Sequence, residues 1–238
     1  MVIQNIKYQI QDLTGDLLNL VWPTLCQACG ERLFKTEDII CTSCLANLPR
    51  TNYQYWPEND FHKLFWGRVP VMYATAYFFF EKENRYRKLI HKLKYKKMPE
   101  IGVVMGREFG YELKDSVFNE IELIVPVPLH PRKKQIRGYN QSEMIARGLS
   151  EGLGKPFDTK SFIRDVHTTT QTRKGRYERW ENVKSIFKAT RKNLFTDKHI
   201  LVVDDVVTTG ATLESCVAEL LESGAKSVSL ATLGIAKN

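Results

Sequence analysis

Eleven consecutive residues, Val202-Val203-Asp204-Asp205-Val206-Val207-Thr208-Thr209-Gly210-Ala211-Thr212, join two adjacent carboxylates to a small, hydroxyl-rich turn. The run Ile200 to Val203 is short, apolar and β-branched, the pattern of a strand buried on both faces. Beyond Gly210 the spacing becomes helical, with Leu213, Val217, Leu220 and Leu221 on one face. Thr208 to Thr212 is therefore a strand-to-helix turn. Its amide N–H groups lack intrahelical acceptors, and the helix dipole favours an anion among them. Thr208, Thr209 and Thr212 add hydroxyl donors, while Gly210 lets the backbone approach a phosphate closely. Asp204 and Asp205, at the carboxyl end of the strand, accept hydrogen bonds from vicinal hydroxyls. Retention of a phosphorylated pentose fits all of these features. The plainer alternative, a buried strand with a capped helix after it, leaves the paired acids unexplained.

A second constellation is Cys26-x2-Cys29 followed by Cys41-x2-Cys44. Each pair bites one tetrahedral metal, and Gly30 follows the first where a left-handed residue helps the turn. Two such knuckles joined by a short hairpin make a four-thiolate zinc ribbon, whose Zn2+ is structural because thiolates fill all four positions. Disulfides are the competing reading, and a thioredoxin-like redox pair explains one Cys-x-x-Cys but not two. Cys216 reads as a small buried apolar residue rather than a nucleophile.

The formal net charge is +8, and it is concentrated. Lys82 to Lys97 carries eight basic residues against Glu83, and His130 to Asn140 carries Arg132, Lys133, Lys134 and Arg137 against no acid. Gln171 to Lys184 is also basic. Local positive charge of this kind implies a polyanionic partner, whether pyrophosphate or nucleic acid. Lys88, Lys92 and Lys96, with Arg132, Lys133 and Lys134, are the nucleic-acid candidates. A solvated helix face or loop is the bland reading for both groups.

The elements that position these residues follow from periodicity. Strands are expected at 71–80, 121–127, 161–166, 200–203 and 227–235, and helices at 84–97, 99–113, 141–152 and after Gly210. Their alternation predicts an α/β fold, a mostly parallel sheet flanked by helices, with ligands at the carboxyl ends of its strands. That edge gathers three loops: 126–140, 167–179 and 204–212. Four segments are expected: an amphipathic helix within 1–24, the zinc ribbon over 25–50, an aromatic linker over 51–69, and the α/β domain over 70–238. No run of 18 apolar residues is present, so no membrane span is expected. The first apolar stretch, Leu17 to Trp22, is short and follows Asp12 and Asp16, which does not read as a secretory signal; a cytoplasmic protein is expected.

The eleven-residue segment resembles the PRPP-binding signature of type I phosphoribosyltransferases. Taken with the cysteine quartet, Leu89-Ile90-His91-Lys92-Leu93-Lys94-Tyr95, Val125-Pro126-Val127-Pro128-Leu129, Arg137-Gly138-Tyr139-Asn140-Gln141, and Gln171-Thr172 with Arg179 and Asn182, the chain is similar to the ComF family over nearly its whole length. That family joins a zinc ribbon to a type I phosphoribosyltransferase-like domain. The resemblance implies that Asp204 and Asp205 hold the ribose hydroxyls of PRPP and are the catalytic pair. Val206 to Thr212 would bind PRPP, with Thr208 to Thr212 cradling its 5-phosphate, and Arg137 would face the pyrophosphate. Arg179 belongs to the segment matching the mobile loop of such enzymes. Mg2+ would arrive with the PRPP, with few direct protein ligands. The implied setting is DNA uptake in natural transformation, with single-stranded DNA as a partner and the ribbon as a docking point for another uptake protein. Two functions stay open: phosphoribosyl transfer to an unidentified acceptor, and a non-catalytic single-stranded DNA-binding module that uses PRPP as a regulatory ligand. No element reads as the hood that recognises an acceptor.

Overall fold

A computed structural model of the chain describes residues 23–81, 84–165 and 186–236. They fall into two compact units, 1–48 and 49–238. The amphipathic helix expected over 10–21 lies outside the described residues.

In the first unit, Cys26 and Cys29 sit on a tight turn. The Gly30 amide donates to the Cys26 carbonyl at 2.9 Å, and the Cys26 amide to the Glu31 carbonyl at 2.8 Å. Gly30 has φ +86°, a left-handed conformation that glycine adopts without penalty. The second pair sits differently, at the start of a short helix, α1 (Thr42–Ala46). Cys41 is its N-cap, and the Cys41 sulfur accepts the Cys44 amide at 3.4 Å. The Cys41 sulfur accepts an amide at the helix start as an Asp oxygen would, so this pair needs no second hairpin turn.

The second unit contains, in chain order, α2 (Asp60–Lys63), β1 (Ala74–Phe80), α3 (Arg87–Tyr95), α4 (Glu100–Leu113), β2 (Leu123–Pro126), α5 (Pro131–Arg137), α6 (Gln141–Leu153), β3 (Phe162–Arg164), β4 (Phe187–Ala189), β5 (His199–Val207), α7 (Ala211–Glu222) and β6 (Ser227–Ala236). The main sheet has the order β1-β6-β5-β2, and all three pairings are parallel. Parallel strands must be covered on both faces, which accounts for the unbroken apolar run Ile200 to Val203, fully buried at the centre. Leu213, Cys216, Val217 and Leu220 of α7 are buried too, so Cys216 is a core residue as its setting in the sequence suggests.

Two elements differ from the sequence reading. Residues 131–137 form a helix rather than a loop: Pro131 starts it, the His130 ring accepts the Arg132 amide at 3.2 Å, and left-handed Gly138 ends it. None of its residues is buried, so no apolar period marks it. The strand expected over 161–166 is β3, which pairs antiparallel with β4 in a separate two-stranded sheet. Stacking of Phe162 on Phe187, with centroids 5.6 Å apart, holds that pair.

The packing of α4 on α6 fixes where the start of α6 lies. A Cβ on Gly106 would stand 2.4 Å from the Ile145 carbonyl oxygen, and one on Gly148 would stand 2.1 Å from that of Val103. Only glycine permits this approach, because the obstructing atoms are backbone. Gly148→Val should therefore push the helices apart and cost about 3 kcal/mol or more, in the range of overpacked cores. Urea unfolding of the full chain measures it; a loss under about 0.5 kcal/mol would contradict this packing.

Candidate functional site

β5 outruns its neighbour β2. Pro126, the last residue of β2, pairs with Val203, so Asp204 and Asp205 continue past the end of β2 toward the carboxyl edge. The adjoining loop returns to the same place: Asn140 Nδ2 donates to the Val127 carbonyl at 3.0 Å, and the Asn140 Oδ1 caps α6 by accepting the Ser142 amide at 3.2 Å. Capping α6 here brings Ser142 to the acids. Its hydroxyl donates to Asp204 Oδ1 at 2.8 Å, which also accepts the Asp205 amide at 2.8 Å. Asp205 is 9% exposed, and its Oδ1 lies 2.8 Å from Lys94 Nζ.

Burial raises the Asp204 carboxyl to about 7, the Asp205 charge adds to the rise, and the bonds from Ser142 and the Asp205 amide, with Lys94, oppose it. Near neutrality the pair therefore gains its second negative charge easily. Two hydroxyl donors, or the positive charge of an oxocarbenium ion, are the partners that would draw it out.

After the acids, Thr208 and Thr209 are exposed and Gly210 turns left-handed at φ +77° as the N-cap of α7. No side chain caps this start, so the first amides of α7 have no side-chain acceptor there. Ala211 and Thr212 are exposed on the first turn, Val206 is half-buried and Val207 is in the core. Gly210 has a second reason for its identity: a Cβ there would meet the Phe65 ring at 2.9 Å. Phe65 and Phe61 share the core cluster of Leu213, Cys216 and Val217, so the aromatic segment over 51–69 buttresses the turn from behind. Arg68 completes the support. Its Nη1 donates to the carbonyls of Leu64 at 2.9 Å and Thr209 at 3.1 Å, and its Nη2 pairs with Glu214.

The basic residues part company. Arg137 donates to Gln141 Oε1 at 2.7 Å and lies over the Tyr95 ring at 5.5 Å, beside the site but not on the acids. Lys88, Lys92 and Lys96 share a groove of about 520 Å3 with Asn84, Arg85, Arg87 and His91. Arg132, Lys133 and Lys134 are exposed on α5, where Lys134 Nζ is 3.7 Å from Glu143. Arg179 and the rest of the 167–179 loop lie outside the described residues. Sequence reasoning passed over Lys94, Ser142 and Arg68. A signal existed for Lys94: it stands four residues after buried Ile90 and next to buried Leu93, on the inner side of α3.

The four cysteine sulfurs lie within 4.8 Å of one another. Zn–S bonds of about 2.3 Å place tetrahedral sulfurs about 3.8 Å apart, and Cys29 and Cys41 sulfurs are 3.8 Å apart. Amides of Cys41 and Glu31 point at the sulfurs of Cys26 and Cys29, at 3.3 and 3.5 Å. Burial pushes the Cys26 thiol up, but amide bonds from Cys29, Cys41 and Ala28 outweigh it and bring the group down to about 6. Thiolate donors at this spacing fit zinc. Among the described residues, this is the one group of three or more Cys, His, Asp or Glu placed to share a metal ion. No helix among those residues is long and apolar enough to cross a membrane.

Comparison with known proteins bears on both parts. Residues 140–238 match the phosphoribosyl transferase domain family. The chain is 32% identical over 144 residues to the DNA utilization protein YhgH of Salmonella typhimurium, covering 59% of this chain and 63% of that one. It is 36% identical over 108 residues to competence protein F of Haemophilus influenzae, covering 45% and 47%. It is 26% identical over 232 residues to competence protein ComFC of Bacillus subtilis, covering 94% and 90%. The chain thus spans less than two thirds of the first two relatives and nearly all of the third.

Proposed function

We propose that this chain, which belongs to the ComF/YhgH family of competence and DNA-utilization proteins with a phosphoribosyltransferase domain, binds Mg-PRPP at the carboxyl edge of its sheet. One observation carries the reading: Asp204 and Asp205 stand near the carboxyl end of buried strand β5, a short turn ahead of a helix that starts at left-handed Gly210 with no side-chain cap. The acids take O2 and O3 of the ribose, and the amides of the turn with Thr208, Thr209 and Thr212 take the 5-phosphate. Among the described residues only Asp204 and Asp205 meet here, so Mg2+ would arrive with the ligand and be held by few protein groups rather than caged by protein. When bound, Mg2+ supplies positive charge to the leaving pyrophosphate.

The reaction this arrangement favours is displacement at the anomeric carbon. The C1–O bond to pyrophosphate breaks, its electron pair leaving on the pyrophosphate. A nucleophile, water in the simplest case, forms the new bond and gives its proton to solvent. The two carboxylates oppose the positive charge that develops on the ribose ring. The acceptor is not specified by any residue described.

A second reading has its own observation, the basic groove of Lys88, Lys92 and Lys96. Lysines at four-residue spacing along one helix follow a phosphate backbone. Single-stranded DNA held there is compatible with PRPP at the acids.

Calorimetric titration with Mg-PRPP tests the first reading, and pH sharpens it. Diol binding needs Asp204 ionised, and its carboxyl stands near 7. Affinity should fall about tenfold between pH 8 and pH 6, and buffers of different ionisation enthalpy should report a proton released near pH 7. In sugar-free buffer the sign reverses. Asp204 binds its proton more tightly folded than unfolded, so its stabilising contribution is full below its ordinary value of 3.8 and is lost as pH rises through about 7. No binding heat at pH 8 would reject the PRPP reading.

A further inference from the structure

The last turn of α3 is held against the end of α5 and the loop that leads into α6 by several contacts. The Tyr139 hydroxyl donates to the Leu93 carbonyl, Arg137 covers the Tyr95 ring at 5.5 Å, and Leu93 is fully buried. This clamp sets Lys94 over the acids, where Nζ gives one hydrogen bond to Asp205 Oδ1 at 2.8 Å. The side chains of the pair are 23% and 12% exposed, so the contact is largely sheltered yet open on one side. An ammonium has three donors, and this bond uses one.

The direction of the remaining donors follows from the covalent structure of the sugar. If O2 and O3 rest on the acids, C1 and C5 must leave on opposite sides of the ring. The 5-phosphate goes to the start of α7, downstream of the acids on β5. The substituent on C1 then extends toward the residues that follow β2, the side on which Ser142 and the clamped end of α3 meet Asp204 and Asp205.

Resting on the PRPP reading, we propose that Lys94 bridges Asp205 and the diphosphate on C1, and so distinguishes a pyrophosphorylated ribose from plain ribose 5-phosphate. Its charge serves both partners at once. While paired with Asp205, it also meets the anionic group that only PRPP carries. A charge-assisted hydrogen bond in a sheltered site is strong enough to set that preference. Lys94 is thus a specificity residue, distinct in role from Lys88, Lys92 and Lys96 on the outer face of the same helix.

The test compares two ligands on the full chain, Mg-PRPP and ribose 5-phosphate, by calorimetry at pH 8, for wild type, Lys94→Met and Lys94→Arg. Wild type should prefer Mg-PRPP. Lys94→Met should weaken Mg-PRPP about tenfold or more, leave ribose 5-phosphate within about twofold, and melt near the wild-type temperature. Lys94→Arg, which retains the charge, should recover part of the preference. A parallel loss of both ligands would show that Lys94 merely holds Asp205, and an unchanged Mg-PRPP affinity would remove it from the site; either overturns the inference but leaves the PRPP reading standing. Wild-type protein that binds neither sugar overturns both. Should Lys94→Met fail to fold, Lys94→Gln applies the same comparison with a polar replacement.

Discussion

Substituting Asp204 and Asp205 together with Ala abolishes Mg-PRPP binding and leaves single-stranded DNA binding within about twofold. Each ionised acid is expected to accept a hydroxyl of the ribose, and hydrogen bonds to charged groups contribute about 1.5–3 kcal/mol each. Losing two lowers affinity about 100-fold to 10,000-fold, beyond ordinary calorimetric detection. The DNA arm rests on the groove of Lys88, Lys92 and Lys96, which includes neither acid. Lys94 loses its partner in the variant, but at 23% exposure the ammonium is partly hydrated and need not upset the fold. Anisotropy of a labelled short strand at two salt concentrations gives the second readout, since a phosphate-tracking groove loses affinity as salt rises. If both ligands are lost together in a variant that melts normally, the sugar and the strand share one site, and the separation drawn between the inner and outer faces of α3 fails.

The acids and the turn were legible because their chemistry contradicts their surroundings. Nothing about a buried strand calls for Asp204 beside Asp205, so the exception stands out against Ile200 to Val203. The main sheet was legible for the opposite reason: its strands largely follow the rule that parallel strands buried on both faces are apolar, with Thr75, Ser229 and Thr232 as buried exceptions. What the sequence hides depends on distance along the chain. Arg68 reaches Glu214 and the Thr209 carbonyl, and Lys94 reaches Asp205, across separations that no local period encodes. Phe61 and Phe65 read as a linker because their partners, Leu213 and Val217, come so much later. Helix α5 is hidden because it buries nothing, and β4 because three residues are too few to show an alternation. Gly210 shows that one residue can satisfy two demands: its place in the turn was expected, while its left-handed φ and the Phe65 ring against it could be seen only in three dimensions.

Removal of metal should have the other large effect, confined to the first unit. Among residues 23–48, the buried side chains apart from the cysteines are Ala28, Leu33, Ile40 and Leu48. Each large one contributes about 2 kcal/mol on burial, against backbone ordering of about 1–2 kcal/mol for every residue of the segment. Apolar burial alone cannot order it. Structural zinc in comparable small sites contributes about 10–16 kcal/mol, enough to reverse the balance. The double variant Cys29→Ser with Cys44→Ser takes one ligand from each knuckle and should carry no zinc by atomic absorption, where wild type should carry one ion per chain. Its residues 23–48 should become sensitive to protease, while the described residues from 49 onward keep the wild-type cleavage pattern and the variant still binds Mg-PRPP. That independence is expected because the parallel sheet and its helices form a core of their own, from Phe61 to Ile235. A zinc-free variant whose first segment resists protease as well as wild type would show that the quartet is not what folds it.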